Sequence, residues 1–267
     1  MKVRNELRRM LAIGGSDSCG GAGIQADIKT GAALGVDVST AITAITAQNS
    51  LGVQAIEPIS AEMLRAQIAS VCSDIPPHAV KLGMLYDAHR VSVVADAIAT
   101  FGLKNIVCDP VLISTSGTTL LDSAGRDHLV TMLPLFTLFT PNALEAEELT
   151  GMNVHTSSNL VAAGRVLLDK GANAVLLKGG HLSGEHTIDL LLQRHSPEPV
   201  LFPSERVETR NDHGTGCVLA SAIASALAHG APLVEAVRVG CSFVHAAIHR
   251  SVDLWSGQGR GSLNLLR

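Results

Sequence analysis

The sequence is poor in the features that mark specialised classes of protein. Aromatic residues make up 3% of its 267 residues and charged residues only 16%, whereas 46% are hydrophobic. This balance argues against disorder, and the few aromatic rings favour small aliphatic packing between helices and a sheet. No apolar run is long enough to cross a membrane, since the stretch 129–139 is broken by Thr131, Pro134 and Thr137. These absences leave a compact globular protein.

Cysteine is also scarce, and its spacing carries little signal. The five residues are odd in number, widely separated, and include no C-x-x-C pair: Cys19, Cys72, Cys108, Cys217 and Cys241. A disulfide framework and a zinc cluster are both poorly supported. The first apolar run, residues 10–13, is too short for the core of a signal peptide. The sequence therefore predicts a cytoplasmic protein.

Excess positive charge is missing as well. The formal net charge is −4, which gives no reason to expect nucleic acid as a partner. Basic residues are dispersed, apart from a short run that ends in Arg8 and Arg9. We interpret residues 1–9 as a polar N-terminal tail that is exposed to solvent.

What is present is an alternation of apolar strand-like runs with helix-like segments, without internal repeats or a Pro/Gly/Ser linker. This order predicts one α/β domain over residues 1–267, with a mostly parallel sheet and helices on both faces. Ligands of such sheets bind beyond the carboxyl ends of the strands. Polar residues follow several predicted strands there: residues 14–17, Asp109, Asn142 and Lys178.

The strongest local signal is the run 212–217 (DHGTGC), which directly precedes an apolar helical segment. Two glycines ahead of a helix let backbone N–H groups converge on an anion, where the helix dipole adds partial positive charge. The alternative is a glycine-rich turn with Thr215 as the N-cap. Both interpretations remain open at this level.

Cys217 falls in the first turn of the predicted helix. The helix dipole there is expected to lower the pKa of the thiol, which would make it a usable base or nucleophile. A buried cysteine that packs as a small hydrophobic residue is the alternative.

Further candidates stand at strand ends. Asn142 and Glu145 have the spacing of a capping box, but Glu145 could also bind Mg²⁺ while Asn142 orients phosphate oxygens. Asp109 could hold a metal or cap a turn. Lys178 could contact phosphate or simply be solvated.

Two patterns are discounted. Residues 21–26 (GAGIQA) match the G-x-G-x-x-A of dinucleotide-binding folds, but several polar residues separate them from the strand, and no acidic residue follows at the usual distance. Both observations argue against a dinucleotide-dependent oxidoreductase. His245 and His249 share a helix face that can bind metal, but no glutamate follows His245, so a structural helix surface is the better interpretation.

Taken in order, eight segments resemble the hydroxymethylpyrimidine and phosphomethylpyrimidine kinases of thiamine synthesis. They are residues 14–17 (GGSD), 20–27 (GGAGIQAD), 43–49 (TAITAQN), 81–85 (KLGML), 109–111 (DPV), 140–142 (TPN), 178–181 (KGGH) and 213–217 (HGTGC). The similarity extends from about residue 12 to residue 248, nearly the whole chain.

The resemblance implies a ribokinase-like three-layer fold, usually a homodimer, that uses MgATP to phosphorylate a pyrimidine hydroxymethyl group and then the resulting phosphate. Its implied pyrimidine pocket consists of Gly15, Asp27, Gln48 and Met84. Its implied magnesium residues are Asp109 and Glu145, and Asn142 and Lys178 would meet the nucleotide phosphates. Its implied anion hole comprises Gly214, Thr215, Gly216 and Cys217, with Cys217 as the base.

The sequence departs from the common family pattern in four places. Ser18-Cys19 stands where Pro-Ser is usual, Thr115 where a lysine often precedes Ser-Gly, and Asp212 where threonine is common. Residues 257–262 (GQGRGS) replace a Gly-His-Gly-x-Gly-Pro pattern. The rival functions are a pyridoxal or pyridoxine kinase of the same fold and a pyrimidine-binding sensor without catalysis.

Overall fold

A computed structural model describes residues 7–114, 117–181, 186–255 and 257–265. Within them, nine strands form one sheet in the spatial order β3-β2-β1-β4-β5-β6-β7-β8-β9. The strands are β1 (Arg9–Asp17), β2 (Asp37–Asn49), β3 (Gly52–Pro58), β4 (Ala79–Leu82), β5 (Ile106–Cys108), β6 (Leu138–Phe139), β7 (Ala174–Leu177), β8 (His186–Gln193) and β9 (Ser196–Glu205).

The centre of the sheet is parallel and its two margins are antiparallel. The pairs from β2 through β1, β4, β5 and β6 to β7 run parallel, whereas β3 pairs antiparallel with β2, and β8 with β7 and β9. Strands β4, β5 and β7 are buried at every position because helices cover both faces. The mostly parallel sheet predicted from the alternation is thus confirmed.

Eight α-helices connect the strands in the described residues, several with local stop and start signals. They are α1 (Gly23–Ala33), α2 (Ala61–Asp74), α3 (Ala88–Phe101), α4 (Ser123–Thr131), α5 (Ala143–Thr150), α6 (Ser157–Asp169), α7 (Thr215–Ala228) and α8 (Leu233–Ser251). Side chains of Ser60, Asp87, Asp122 and Thr156 accept hydrogen bonds from first-turn amides of α2, α3, α4 and α6. No helix among the described residues is long and apolar enough to cross a membrane.

Alternate residues of the central strands supply two cores on opposite faces of the sheet. In β4, Val80 and Leu82 join the core beneath α2 to α6, while Ala79 joins the core beneath α7 and α8. A third, smaller cluster packs α1 against α7 and α8 through Ala26, Val218 and Ala247. The period-2 alternation of a strand therefore directs Lys81, in the middle of an apolar run, to the α1 and α7 side.

Several sequence-based expectations need correction. Arg9 begins β1, and the carbonyl of Arg8 accepts a hydrogen bond from Asp37, so the proposed tail does not extend to residue 9. Its residues 1–6 lie outside the described residues. Strand β6 is confined to Leu138–Phe139, since the preceding Leu133–Leu135 form a 3₁₀ turn. The antiparallel strands β3, β8 and β9 were missed, because their exposed positions dilute the apolar signal.

Candidate active site

The carboxyl ends of the parallel strands meet at one edge of the sheet, and most of the predicted site residues lie there. Gly15 lies near the end of β1, and Asp109 directly follows β5. Asn142 and Lys178, which come after β6 and β7, pair with each other in an isolated parallel bridge. The sequence predicted these residues at the ends of different strands, and the structure brings those ends together.

Two carboxylates share one ammonium group at the centre of this edge. Lys178 Nζ lies 2.7 Å from Asp109 Oδ1 and 3.7 Å from Glu145 Oε2. Asp109 Oδ1 also accepts a hydrogen bond of 3.2 Å from Thr140 Oγ1. Asp109 and Glu145 are buried. One positive and two negative groups therefore lie together, away from bulk water.

The pKa values of this cluster reflect its unequal charges. Burial, together with the nearby Asp109 charge, raises the pKa of Glu145 to about 7, although Lys178 opposes the shift. Burial would lower the pKa of Lys178, but Asp109 and Glu145 outweigh it and hold that pKa above its ordinary value. A hard divalent cation with oxygen ligands would balance the excess negative charge, so the donor set of Asp109 and Glu145 fits Mg²⁺.

The capping-box interpretation of Asn142 and Glu145 is confirmed, and it leaves room for the other interpretation. Asn142 Oδ1 accepts from the Glu145 amide at 2.9 Å, and Glu145 Oε2 accepts from the Asn142 amide at 2.7 Å. This reciprocal capping box begins α5. The same cap points the Glu145 carboxylate toward Lys178 and Asp109. Capping and a metal role are therefore compatible.

Glu145→Gln is expected to separate these roles. Glutamine retains the carbonyl acceptor of the cap, so the melting temperature should change little near pH 6. If Glu145 is a magnesium ligand, half-maximal activity should require at least about tenfold more Mg²⁺. A magnesium titration of the activity that the family resemblance implies measures this, with Glu148→Gln, an exposed glutamate on the same helix, as control. Equal magnesium dependence of both variants would leave Glu145 as a cap only.

The same variant has an expected pH dependence in the absence of metal. Folding raises the Glu145 pKa from 4.5 to about 7, so the buried carboxyl favours the fold while protonated. That contribution is present below pH 4.5 and is lost as the pH rises through 7. The melting temperature of Glu145→Gln relative to wild type should therefore increase between pH 5 and pH 8.

The glycine-rich turn 213–216 closes against the turn that follows β1. Gly214 is the N-cap of α7 with φ +86°, and a Cβ atom there would lie 1.9 Å from the Gly21 carbonyl oxygen. Both the left-handed backbone and the close approach require glycine. Thr215 is the first helical residue, so the alternative with Thr215 as the N-cap is wrong.

This helix end adjoins the charged cluster. A Cβ atom on Gly216 would lie 3.0 Å from Asp109 Oδ2 and 3.3 Å from Lys178 Nζ. The first turn of α7 therefore lies directly beside the Asp109 carboxylate and the Lys178 ammonium. Together, a helix N-terminus and a cation form an environment suited to phosphate.

Cys217 lies in the first turn of α7 and is half-buried. Burial raises the pKa of its thiol to about 11, although Lys81 and a backbone hydrogen bond from Gly23 act in the opposite direction. The expectation of a lowered thiol pKa from the helix dipole is therefore wrong. Desolvation outweighs the positive groups around the sulfur.

On the other side of the turn, a polar chain connects β1, β2 and the glycine-rich turn. Gln48 Nε2 lies 3.1 Å from His213 Nε2, and Thr46 Oγ1 donates to Gln48 Oε1 at 3.2 Å. His213 Nε2 is also 3.1 Å from Asp17 Oδ2. Asp17 and His213 fall within sequence motifs, but no role was predicted for either, because 196 positions separate them.

Gly15 and Met84 form an apolar wall beside these polar groups. A Cβ atom at Gly15 would lie 2.9 Å from Met84 Sδ, so the glycine lets the thioether lie against the backbone. Thr43 Oγ1 donates to the Met84 carbonyl at 2.6 Å, which anchors the segment after β4 to β2. Met84 packs with Ala44 and Leu120 in a small separate cluster.

Asp27 does not lie in the wall of this pocket. It is fully buried, and Lys81 Nζ is within 2.8 Å of Oδ1 and 2.9 Å of Oδ2. Ser221 Oγ of α7 donates to Asp27 Oδ1 at 2.7 Å. Asp27 holds Lys81 charged and raises its pKa, although burial opposes this. The one signal for Lys81 as a functional residue was a lysine within an apolar strand.

The altered C-terminal segment packs over this region. The isolated bridge between His213 and Ser262 joins it to the glycine-rich turn, and Arg260 donates from its amide to the Ser50 carbonyl at 2.9 Å. Two departures from the family pattern meet, because Arg260 Nη2 lies 3.3 Å from Asp212 Oδ2. A third, Thr115, lies outside the described residues.

Comparison with known proteins identifies the family of this chain. A profile of the phosphomethylpyrimidine kinase family matches residues 17–264. The hydroxymethylpyrimidine/phosphomethylpyrimidine kinase of Rhizobium meliloti (strain 1021) is 46% identical over 256 residues, which are 95% of this chain and 95% of that protein. The crystal structure of phosphomethylpyrimidine kinase from Clostridium difficile 630 superposes with a TM-score of 0.79 at 39% identity, over 90% of this chain and 99% of that one.

A pyridoxal kinase has the same fold at lower identity. The enzyme from Staphylococcus aureus, in complex with AMP-PCP and pyridoxal, gives a TM-score of 0.87 at 27% identity, over 97% of this chain and 94% of that chain. The ribokinase-like architecture is confirmed, and a dinucleotide-dependent oxidoreductase is excluded. The chain belongs to the phosphomethylpyrimidine kinase family and is an ATP-dependent phosphotransferase.

Proposed function

We propose that this enzyme phosphorylates 4-amino-5-hydroxymethyl-2-methylpyrimidine and then its monophosphate, in thiamine biosynthesis. One observation carries the proposal: Gln48 contacts His213, the residue immediately before the Gly214 turn. A carboxamide both donates and accepts, which matches the ring nitrogen and exocyclic amine of an aminopyrimidine. The group that would recognise the ring therefore adjoins the helix end that would hold the phosphoryl group.

The chain's own residues would position the phosphoryl group and neutralise its charge. Backbone amides of Gly214, Thr215 and Gly216 would form the anion hole at the N-terminus of α7. Lys178 would contact the transferring phosphate. Asn142 would donate from its side-chain Nδ2 to the nucleotide phosphates. Phosphoryl transfer needs positioning and charge stabilisation more than covalent chemistry, so such a set suffices.

Asp109 and Glu145 would hold Mg²⁺, which supplies charge neutralisation at the nucleotide phosphates. Asp109 already accepts from Lys178 and Thr140, and Glu145 from the Asn142 amide. These contacts orient both carboxylates before any ligand binds. The capping box thereby couples the start of α5 to the proposed metal residues.

The pyrimidine would lie between Gln48 and the wall of Gly15 and Met84, where the polarizable thioether faces the ring. Asp27 was expected in this pocket from the family resemblance. Its oxygens accept from Lys81 and Ser221 in the interior, so we propose that it acts through Lys81 instead. Lys81 in turn favours the thiolate of Cys217, the proposed base.

Gln48→Ala is expected to weaken binding of the hydroxymethylpyrimidine by about 1–3 kcal/mol, the usual cost of leaving a buried polar group unpaired. Calorimetric titration of the pyrimidine measures this loss. Gln54→Ala is the matched control, because Gln54 is an exposed carboxamide on the neighbouring strand β3. Unchanged affinity in Gln48→Ala would remove this residue from the pocket.

The substrate itself is tested by parallel assays with MgATP and either hydroxymethylpyrimidine or pyridoxal. We expect products with one and then two added phosphates from the pyrimidine, identified by mass. A single phosphate on pyridoxal, with the pyrimidine unchanged, would favour the pyridoxal kinase alternative. Binding of the pyrimidine without any product would favour a sensor. The homodimer and the cytoplasmic location stay predictions.

A further inference from the structure

Three side chains with metal-binding atoms converge where β1 ends and the glycine-rich turn begins. Asp17 Oδ2 lies 3.1 Å from His213 Nε2 and 3.3 Å from Cys19 Sγ. One ligand atom from each residue lies within 4.8 Å of the other two. Sequence spacing does not reveal this group, because Asp17 and His213 are 196 positions apart.

The spacing of these atoms suits a tetrahedral zinc ion. With Zn–N and Zn–O bonds of about 2.1 Å and a Zn–S bond of about 2.3 Å, ligand atoms are about 3.4–3.6 Å apart. The observed separations of 3.1 and 3.3 Å are a few tenths shorter. Small outward movements of the His213 ring and of the exposed Cys19 side chain would admit the ion. Thiolate, imidazole and carboxylate together favour Zn²⁺ over Mg²⁺.

The carboxylate of this cluster is already held in place. Asp17 Oδ2 accepts from the amides of Gly21 and Ala22 at 3.0 and 2.8 Å, and Oδ1 accepts from the Cys19 amide at 2.9 Å. Metal-binding carboxylates are commonly oriented by such hydrogen bonds. Although burial opposes it, the bonds from His213, Ala22 and Cys19 hold the pKa of Asp17 well below its usual range.

We propose that Asp17, Cys19 and His213 form a Zn²⁺ site, with the fourth position open to water beside the exposed Cys19. Zinc would replace the thiol proton, which is released, and the imidazole would carry its proton on Nδ1. One thiolate and one carboxylate then balance the two charges of the ion. Cys19 is one of the chain's departures from the family pattern, so the site depends on a residue particular to this sequence.

Zinc at this position would also affect the pyrimidine pocket. His213 Nε2, the proposed zinc ligand, is the atom that Gln48 contacts at 3.1 Å. Zinc binding would therefore displace the Gln48 amide and compete with the pyrimidine. This consequence rests on the proposed function, whereas zinc binding itself does not.

Direct metal binding tests the site without reference to activity. A second place for zinc must first be removed, since His249 Nε2 lies 3.3 Å from His245 Nε2 on α8. We would therefore titrate untagged His249→Gln protein with Zn²⁺ against a chromophoric chelator, and with Co²⁺ by absorption. We expect one zinc per chain and a sulfur-to-cobalt charge-transfer band.

Two cysteine variants in the same background identify the ligand. Cys19→Ser should weaken zinc binding by at least about 100-fold and abolish the charge-transfer band, with an unchanged melting temperature. Cys241→Ser should leave both intact, because Cys241 Sγ lies 3.7 Å from Asp189 Oδ2 but belongs to no such three-residue cluster in the described chain. Zinc binding that survives Cys19→Ser, a cobalt complex without the charge-transfer band, or no binding in the His249→Gln protein would each overturn the proposal.

Discussion

Cys217→Ala is expected to slow phosphorylation of the hydroxymethyl compound by about 10²–10⁴-fold, the usual contribution of a positioned base. Phosphorylation of the monophosphate should be affected far less. An alcohol is fully protonated near neutral pH and needs a base. A phosphate monoester, with a second pKa of about 6, is already mostly dianionic. The backbone amides of the α7 N-terminus remain in the variant and continue to serve both steps.

The raised pKa of Cys217 adds a signature to this prediction. With a thiol pKa of about 11, the thiolate fraction rises about tenfold per pH unit between pH 7 and pH 10. The kcat/KM of the first step should rise in parallel, and this rise should vanish in Cys217→Ala. The second step should show little dependence on pH above 7, because its nucleophile is already ionised.

The measurement is kcat and kcat/KM for each step, assayed separately from each starting compound across this pH range. Cys241→Ala is the matched control, since Cys241 is another half-buried thiol with a raised pKa, located on α8. Equal losses in both steps would mean that Cys217 acts through the geometry of the anion hole or the position of the substrate. The assignment of a base would then be wrong.

Lys81→Met is expected to lower the free energy of unfolding by about 3–5 kcal/mol, the usual effect of removing one partner of a buried ion pair. Lys81 and Asp27 are both fully buried, so methionine would leave the carboxylate in an apolar interior. Burial raises the pKa of Asp27, and Lys81 opposes this shift. Without Lys81, we expect the buried carboxyl to take up a proton rather than remain charged. The loss should therefore be smaller at pH 5 than at pH 8.

Denaturant unfolding of three variants tests this expectation. The double variant Asp27→Asn/Lys81→Met should recover much of the lost stability, because neither buried charge remains. Lys29→Met, which removes an exposed lysine of α1, should change stability by less than about 0.5 kcal/mol. A Lys81→Met protein as stable as wild type at pH 8 would show that the ion pair contributes nothing to the fold.

The pair also bears on the role of Asp27. If Asp27 acts through Lys81, the folded double variant should bind the pyrimidine with nearly the wild-type dissociation constant. Its first phosphorylation step should be slower, because Lys81 favours the Cys217 thiolate. Loss of pyrimidine binding itself would instead support the contact implied by the family resemblance.

The parts of the fold that could be predicted are those that depend on residues close together in the sequence. Buried strands such as β4, β5 and β7 appear as short apolar runs, and the Asn142–Glu145 capping box depends on residues three positions apart. Strand ends in a parallel sheet share one edge, so the approximate place of the site followed as well. The antiparallel strands at the margins of the sheet could not be predicted, because their solvent-facing positions interrupt the apolar pattern.

By itself, the sequence determined the strand–helix alternation, the glycine-rich turn before α7 and the family to which the chain belongs. Only the tertiary structure decided which charges meet: Lys81 with Asp27 across 54 positions, and Asp17 with His213 across 196. It also decided that the Cys217 pKa is raised rather than lowered. Periodicity and caps depend on near neighbours in the chain, whereas desolvation and ion pairing depend on groups that only packing brings together.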